Sequence, residues 1–301
     1  PKATIQALSG VLVETCTQGL RLVAYDLDEL GIETFVPVTV GTEGSTVIPA
    51  KYFSDISRKL PQSEVILEYR EESQSVSISA GRADFTVKTM PAAEFPALPE
   101  ISEANSWSMP ESELKTMIRR TIPAAAVDDA RAFFKGIYML FEKDSLTMVA
   151  TDSFRLAYRK TQASFDLEEP IDVIIPAKAL LEVERNLNDT GEREVSIAIE
   201  KNHAMFRIGP TTYVTRLLEG QFPNYKQVFP ENIPAKIICD RLQLLDSVDR
   251  VSLMCKDELS AIRMSYTGDE GMASGFLTIT AATPEVGEGK EDIPVSMNGH
   301  A

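Results

Sequence analysis

Basic side chains recur at one spacing on two predicted helices of this chain. Lys51 and Arg58 lie seven residues apart on the first helix, and Lys178 and Arg185 lie seven residues apart on the second. Residues seven apart share one face of an α-helix, so each pair presents two positive charges together. Such a face suits a phosphate backbone, which it would bind without reading the bases. The commoner role of these residues is only to solvate an outer helix face.

A third predicted helix carries Lys115, Arg119 and Arg120 away from its apolar stripe. If equivalent helices point one way, their charges form a basic lining inside an acidic body. The chain as a whole is acidic, with 45 acidic and 30 basic side chains and a net charge of −15. Taken alone, this sum argues against a nucleic-acid-binding domain and is most simply explained by solubility. The distribution of charge therefore matters more than its total.

The sequence lacks the residue patterns that are typical of catalytic or metal-binding sites. The two histidines, His203 and His300, have no Cys, His or carboxylate at metal-ligand spacing. No glycine-rich phosphate loop and no Gly-x-Ser-x-Gly motif is present. Asp26 and Asp152 fall at predicted strand ends, where a hydrolase could place a carboxylate, but a turn-capping role is more common there. We therefore expect no enzyme activity, no cofactor and no metal.

Composition places the chain among ordinary globular proteins, with 44% hydrophobic and 25% charged residues. No apolar run approaches the roughly 18 residues that would span a bilayer. Cys16, Cys239 and Cys255 form an odd set without close spacing. This usage is typical of a reducing compartment, and we expect a cytoplasmic protein.

The elements that must position these side chains repeat along the chain. Val-Ala-Tyr-Asp at 23–26 returns as Val-Ala-Thr-Asp 126 residues later. Ile-Pro-Ala-Lys at 48–51 and Phe-Pro at 95–96 both return 127 residues later. A weaker third copy is indicated by Leu-Thr-Ile-Thr-Ala at 277–281, which echoes residues 20–24. A repeat of this length predicts tandem domains of one fold.

Each repeat has two half-units, and each half-unit has a helix against a small antiparallel sheet, which predicts an α+β architecture. In the second repeat, Leu114, Met117, Ile118 and Thr121 form the stripe of an amphipathic helix. Strands are predicted at 5–14, 75–79, 84–88, 135–142 (with Ile137, Met139 and Phe141 on one face), 146–151, 194–200, 204–208 and 212–217, and a further helix at 177–187. In the third repeat, Asp240 is the predicted N-cap of a helix with the stripe Leu242, Leu245 and Val248.

Three domains follow from the repeat, at residues 1–104, 105–231 and 232–301. The first copy starts at its strand and lacks the opening helix, and the third stops after its first half-unit. We therefore expect a chain truncated at both ends relative to the intact protein, by roughly 20 residues before Pro1 and about 60 after Ala301.

Four motifs carry a family resemblance. They are Val-Ala-Thr-Asp-Ser-Phe-Arg-Leu-Ala at 149–157, Glu-Gly-Gln-Phe-Pro-Asn-Tyr at 219–225 with Val-Phe-Pro shortly after, Pro-Ala-Ala-Glu-Phe-Pro at 91–96, and Thr-Pro-Glu-Val-Gly-Glu at 283–288. In these motifs the chain resembles the bacterial sliding clamps, the β subunits of DNA polymerase III. The order and spacing of the family are kept from about Lys2 to the last residues.

The resemblance implies tandem DNA-clamp domains with helices lining one side and antiparallel sheets on the other. Two copies would close head to tail into a homodimeric ring around duplex DNA. The ring would not catalyse a reaction and would need no cofactor. It would tether DNA polymerase, the clamp loader and repair proteins through short apolar peptide motifs, with no membrane involved. The alternative is a non-catalytic protein–protein scaffold without a nucleic-acid role. Such a scaffold does not require basic side chains on equivalent helix faces, so these faces discriminate between the two.

Site positions also follow from the resemblance. The peptide-binding pocket maps to Phe134, Thr151, Ser153, Phe154, Arg155, Leu156, Pro223, Gln227 and Val228. The DNA-facing set maps to Lys2, Arg58, Arg131, Lys178 and Arg250, to which the basic helix faces add Lys51, Lys115 and Arg119. The ring contact maps to Phe85 and Val87 on one side and to Leu253 and Met254 on the other. The family often has Gly-His at Ser153-Phe154 and a basic residue at Gln227, so a more apolar pocket is expected here.

Overall fold

The computed structural model describes residues 5–27, 29–102, 106–233, 235–255, 261–268 and 274–299. The chain folds into two compact units, Pro1–Pro223 and Asn224–Ala301. The first unit contains the first two sequence repeats, and the second unit contains most of the third. The division into three domains with boundaries near residues 104 and 231 stays a prediction.

The elements follow one another in the order that the repeat predicts. The first repeat contains β1 (Gly10–Cys16), β2 (Gly19–Asp26), β3 (Leu30–Val36), β4 (Ser45–Pro49), α1 (Ala50–Ser57), β5 (Val65–Arg70), β6 (Ser75–Ala80) and β7 (Ala83–Lys88). The second contains β8 (Ser106–Pro110), α2 (Glu111–Thr121), β9 (Gly136–Glu142), β10 (Ser145–Thr151), β11 (Leu156–Gln162), β12 (Ile171–Pro176), α3 (Ala177–Asn186), β13 (Glu194–Glu200), β14 (His203–Ile208) and β15 (Thr211–Arg216). The third contains β16 (Ala235–Ile238), α4 (Arg241–Ser252), β17 (Arg263–Thr267), β18 (Ser274–Thr283) and β19 (Gly287–Gly299).

Sheet topology confirms the tandem repeat of an α+β fold. The first repeat has the strand order β4-β1-β2-β3, and the second has the matching order β12-β9-β10-β11, both antiparallel. The strands β5-β6-β7 likewise correspond to β13-β14-β15. In the third repeat β17, β18 and β19 form the meander, and β16 pairs with β19.

One antiparallel sheet of eight strands joins the first two repeats, because β3 pairs with β15. Hydroxyl groups reinforce this joint. The Thr34 and Thr211 hydroxyls lie 2.9 Å apart, and Oγ1 of Thr215 donates to the carbonyl oxygen of Glu29 at 2.6 Å. Through this joint, α1 of the first repeat and α2 and α3 of the second repeat belong to one compact unit.

The three α-helices that the structure describes in the first unit, α1, α2 and α3, each begin directly after a proline. Pro49, Pro110 and Pro176 have φ values of −54°, −58° and −51°, and no side chain caps these helices. The proline ring fixes φ near the value that a helix entry needs, so the start is set without a capping hydroxyl. Helix α4 is different, since Oδ1 of Asp240 accepts the N–H of Gln243 at 2.9 Å. The predicted N-cap is therefore confirmed.

The core of the second repeat has the composition that its periodicity predicts. Leu114, Met117, Ile118 and Thr121 are at most 1% exposed on α2, which packs against α3, β10 and β11. The alternating side chains of β9 are fully buried as well. Burying each large apolar side chain stabilises the fold by about 1.5–3 kcal/mol. This burial holds α2 in a fixed position against α3, β10 and β11.

The predicted strand at 5–14 is wrong in its first half. Gln6–Ser9 form a turn of 3-10 helix, and the strand starts at Gly10. A Cβ atom at Gly10 would lie 2.5 Å from Cγ1 of Val47, so only glycine allows β1 to approach β4 this closely.

The predicted apolar stripe of α4 is wrong at Leu242 and Leu245, whereas its third member, Val248, packs on the core. Leu242 and Leu245 are 55% and 47% exposed. The face that packs on the third-repeat sheet instead carries Leu244, Val248 and the buried Val251. The two stripes share Val248 and are rotated from each other by about 100° around the helix, and the surplus of leucines on α4 leaves the pattern ambiguous.

In the described part of the chain, no helix is both long and apolar enough to cross a membrane. Over the same residues, no group of three or more His, Cys, Asp or Glu side chains is arranged to hold a metal ion.

Candidate peptide-binding site and DNA-facing helices

The hairpin loop between β10 and β11 is fixed by its first two side chains. Oδ1 of Asp152 accepts the backbone N–H groups of Phe154 at 3.0 Å and of Arg155 at 2.9 Å. Oγ1 of Thr151 donates to the Arg155 carbonyl at 2.7 Å and accepts the N–H of Ser153 at 3.2 Å. The turn-capping role predicted for Asp152 is confirmed by these bonds.

The charge of Asp152 is part of the same arrangement. Burial alone would raise the pKa of its carboxyl group, but the N–H groups of Arg155 and Phe154 and the Arg155 guanidinium together lower that pKa. Nε of Arg155 donates to Oδ2 at 3.0 Å. An ionised carboxylate with both oxygens bonded in this way holds a loop and keeps it in one conformation.

Backbone strain in this loop presents an aromatic ring to solvent. Ser153 has a φ of 78°, in the left-handed region, which costs a residue other than glycine roughly 1–2 kcal/mol. The bonds from Thr151 and Asp152 maintain this conformation. The next residue, Phe154, is 97% exposed. A large apolar side chain is therefore held outward at a fixed position.

Arg131 contacts two residues of the predicted peptide pocket. Its guanidinium donates to Oγ of Ser153 at 3.2 Å and lies 4.2 Å from the centre of the Phe134 ring. Asp129 fixes the guanidinium through two bonds of 3.0 Å. This pairing holds the pKa of Asp129 down at about 2. Sequence reasoning placed Arg131 in the DNA-facing set, whereas the structure places its guanidinium beside the β10–β11 loop.

The other pocket positions of the first unit differ in exposure. Phe134 is buried, Leu156 is half-buried at the start of β11, and Pro223 is exposed. The ring of Phe222, next to Pro223, stacks on Tyr138 of β9 with centroids 5.1 Å apart. Gln227 and Val228 belong to the second unit, where they are exposed on the 3-10 turn Tyr225–Val228. Their place in a pocket stays a prediction.

The cations of the predicted DNA-facing set fall into two classes. Lys51 and Arg58 are exposed and have no side-chain partner among the described residues. The side chain of Lys178 is 76% exposed, and its Nζ lies 3.6 Å from Oε1 of Glu29, a long contact. These three side chains remain available to an external anion. Lys2 lies outside the described residues.

Arginines in the second class are bound to carboxylates of their own unit. Nε of Arg119 donates to Oε1 of Glu184 at 2.5 Å. Arg250 makes a bidentate pair with Glu291 at 2.5 and 3.0 Å, and this pair raises the pKa of the guanidinium. A phosphate would have to compete with these carboxylates, so their contribution to anion binding is reduced.

Lys115 is buried, although the sequence predicts that it faces solvent. It is 8% exposed, and its ammonium donates to the carbonyl oxygen of Leu187 at 2.6 Å and to Oδ2 of Asp189 at 3.2 Å. Helix α3 packs against α2 at this point and covers the lysine, which satisfies the end of α3 instead. Sequence periodicity alone could not detect this contact, because Lys115 lies at the margin of the apolar stripe.

Comparison with known proteins adds to this geometry. Residues 1–99 match the family model of the DNA polymerase III beta subunit N-terminal domain, and residues 108–224 match that of the central domain. The beta sliding clamp of Staphylococcus aureus is 31% identical over 301 residues, which cover 97% of this chain and 78% of that protein. The chain belongs to the bacterial sliding-clamp family. It is a non-catalytic clamp that acts with DNA and DNA polymerase in replication.

Solved sliding clamps share its fold as well. The DNA polymerase III subunit beta of Pseudomonas aeruginosa has a TM-score of 0.87 and 31% identity, covering 99% of this chain and 80% of that one. The sliding clamp of Bacillus subtilis has a TM-score of 0.87 and 29% identity, covering 99% and 79%. The clamp-domain repeat predicted from sequence is therefore confirmed.

In this clamp, the residues predicted at the ring contact differ in their surroundings. Phe85 is 40% exposed on β7, an outer strand of its sheet, while Val87, two residues along the same strand, packs on the first-repeat core. Leu253, just after α4, is 73% exposed. Met254 packs on the third-repeat core and lies close to Gly289. Phe85 and Leu253 are thus the two exposed apolar side chains of the set.

Proposed function

We propose that two copies of this clamp close head to tail into a ring that encircles duplex DNA. The observation that carries the proposal is the β3–β15 joint, where two repeats continue one sheet edge to edge. Among the strands that the structure describes, β7 likewise has one edge without a neighbour, and it carries an exposed aromatic side chain there. A contact between different faces of identical subunits closes into a ring when the rotation between them is right.

Enclosure explains how a protein of net charge −15 holds DNA. A closed ring dissociates only when it opens, so strong phosphate pairing is unnecessary. Lys51, Arg58 and Lys178 supply the weak, sequence-independent contacts along the phosphate backbone. In this proposal DNA binding depends less on Arg119, Arg250 and Lys115, because their charged groups already donate hydrogen bonds to carboxylates or to a backbone carbonyl. Lys2 stays a sequence prediction.

The Lys51→Ala/Arg58→Ala double variant should lower the salt dependence of DNA binding. Each phosphate contact contributes about 0.9 to the slope of log K against log salt concentration, so the slope should fall by about 1.8. Arg185→Ala is the matched control, because its guanidinium is paired with Glu182 at 2.5 Å. Fluorescence anisotropy with labelled duplex across salt concentrations measures both slopes. Equal slopes for wild type and the double variant would remove these residues from the DNA contact.

We further propose that the β10–β11 loop and its neighbours bind short peptides of polymerase, clamp loader and repair proteins. Phe154 and Leu156 supply apolar surface, Phe134 lies beneath Arg131, and Pro223 follows a stacked aromatic pair. An apolar site with a few fixed polar groups suits a peptide carrying Leu or Phe anchors. Gln227 and Val228 complete the proposed site by family resemblance alone. The cytoplasm is the proposed compartment.

Retention on DNA tests the ring directly. Clamp loaded onto nicked circular duplex should stay bound through gel filtration, and it should be lost after a restriction enzyme linearises the same circle. The physical reason is that a ring leaves a linear molecule only by sliding off its end. Equal retention on both forms, or binding that depends on base sequence, would contradict encirclement. Absence of binding to either form would favour the scaffold alternative.

A further inference from the structure

A small cleft lies beside the joint between the first two repeats, within the first compact unit. The loop between β2 and β3 forms one wall, with Leu27 and Leu30 among its residues. The ends of β14 and β15 form the other wall, which includes Val214, and Pro99 of the segment between the repeats also lines the cleft. Its volume is about 180 Å³. It shares no lining residue with the DNA-facing set or with the proposed peptide site.

The repeat relates this cleft to the proposed peptide site. Tyr25, which lines the cleft, pairs with Gly31 at the base of the β2–β3 loop, and Thr151 pairs with Leu156 at the base of the β10–β11 loop. Tyr25 lies 126 residues before Thr151, in the repeated Val-Ala-x-Asp motif. The segment that carries Pro99 begins with the Phe-Pro pair that the second repeat also contains. The loop and the segment are therefore the first-repeat counterparts of those proposed to bind peptides.

The sheet that joins the two repeats holds the walls of the cleft together. Val214 pairs with Gly31, and Oγ1 of Thr215 donates to the carbonyl oxygen of Glu29 at 2.6 Å. Within the loop, the N–H of Glu29 donates to the carbonyl oxygen of Asp26 at 3.3 Å. The cleft is therefore formed before a ligand arrives, which lowers the entropy lost on binding.

The segment between the repeats limits the size of the cleft. A Cβ atom at Gly31 would lie 2.4 Å from Cδ2 of Leu98, so the missing side chain lets this leucine pack on the sheet. Ile101 packs on the cluster that contains Met205 and Val214. These two side chains cover the sheet around Val214. The volume that remains is close to that of an engineered cavity of about 150 Å³ that binds benzene, so it suits one leucine or phenylalanine side chain.

Charges of opposite sign lie on the two walls. The β2–β3 loop contributes Asp26 and Glu29, while His203 and Arg216 stand directly opposite each other on β14 and β15. The guanidinium of Arg216 lies 3.6 Å from Glu219, and both side chains are more than half exposed. An ion pair of this length and exposure contributes little to stability, so the guanidinium can bind another carboxylate. A ligand that joins an apolar side chain to a negative charge matches this cleft.

We propose that this cleft is a second binding site, which takes one leucine or phenylalanine side chain of a partner peptide together with an adjacent acidic residue. Lys178 already lies 3.6 Å from Glu29 on the loop wall, so the negative charge is assigned to Arg216 on the other wall. The inference rests on the proposed function for the class of ligand, a short peptide, and adds a site and a charge preference. Because it has room for one anchor, it should bind more weakly than the site at the β10–β11 loop.

Nuclear magnetic resonance of the full chain, labelled at leucine and valine methyl groups, tests the site with short synthetic peptides. Acetyl-Asp-Phe-amide should shift the methyl signals of Leu27, Leu30 and Val214 in a saturable way. Acetyl-Asp-Gly-amide should bind at least tenfold more weakly, because it lacks the apolar side chain that the cleft buries.

Charge reversal at Arg216 tests the preference for an acidic residue. Arg216→Glu should raise the dissociation constant of acetyl-Asp-Phe-amide about fivefold and lower that of acetyl-Lys-Phe-amide, because the sign of the wall is reversed. Arg193→Glu is the matched control, since Arg193 is exposed just before β13. The cleft lies at the other end of that strand, where Glu200 pairs with His203. The control should leave both dissociation constants unchanged.

The methyl signals separate this inference from the proposed function. Shifts confined to Leu156 and Val228 would overturn the second site and leave the proposed peptide site standing. Shifts at Leu27, Leu30 and Val214 that are the same for wild type and Arg216→Glu would overturn the charge preference. No saturable shift at these three residues would overturn the second site, whereas the proposed function is decided separately, by titration with a polymerase tail peptide.

Discussion

Leu253→Asp should convert the clamp from dimer to monomer at micromolar concentration. Leu253 is 73% exposed and follows α4 directly, so its side chain is available to a second copy. Burying an aspartate there without a partner costs several kcal/mol, more than a ring joint of ordinary strength tolerates. Light scattering coupled to gel filtration measures the mass. The same variant should lose retention on circular DNA, because an open ring releases it.

Leu253 is a better probe than Met254. Met254 packs on the third-repeat core, and a charge at that position would disturb folding as well as assembly. Val127→Asp is the matched control, since Val127 is 91% exposed and lies outside the proposed joint. The control should remain dimeric. Dimers of Leu253→Asp with undiminished retention on circular DNA would place the ring contact elsewhere.

Leu156→Ala should weaken the binding of a polymerase tail peptide by about 1–3 kcal/mol, the range of an interface anchor. Leu156 starts β11 and is half-buried beside the rigid loop that presents Phe154. Its side chain therefore offers apolar surface at low cost in entropy, since the backbone is already fixed. Val228→Ala should have a similar effect. Isothermal titration calorimetry with the peptide measures the affinity.

Arg155→Ala is the control for this prediction and should cost less. The Arg155 side chain is 65% exposed and its guanidinium is already paired with Asp152, so it contributes mainly at the rim. Circular dichroism should show that every variant keeps its fold. Unchanged affinity in both apolar variants, with the fold intact, would exclude the proposed peptide site.

The repeated architecture could be predicted from sequence because it depends on local signals. The Ile-Pro-Ala-Lys motif sets a strand end and a helix start at Pro49 and Pro176 in the same way. The apolar stripe of α2 can be predicted because the large apolar residues of this helix, Leu114, Met117 and Ile118, all fall on one face. On α4, where leucines occupy two faces, the same reasoning selected Leu242 and Leu245 instead of Leu244 and Val251.

Other features depend on contacts distant in sequence, and the pattern could not reveal them. Lys115 is buried because α3, more than 60 residues later, covers it. Arg131 meets Ser153 because two loops converge, and the only local signal was the nearby Asp129. The capping role of Asp152 was predictable, since a carboxylate at a strand end acts on residues two and three positions ahead.

The eight-stranded sheet has a consequence for how the molecule unfolds. Because β3 and β15 share one ladder, the first two repeats cannot separate without exposing backbone amides at the centre of the sheet. They should therefore behave as one cooperative folding unit, although the sequence repeats twice within it. Amide protons of residues 30–34 and 211–215 should exchange with deuterium only when that whole unit unfolds. The segments of the clamp that unfold locally, and exchange first, should therefore lie elsewhere in the chain.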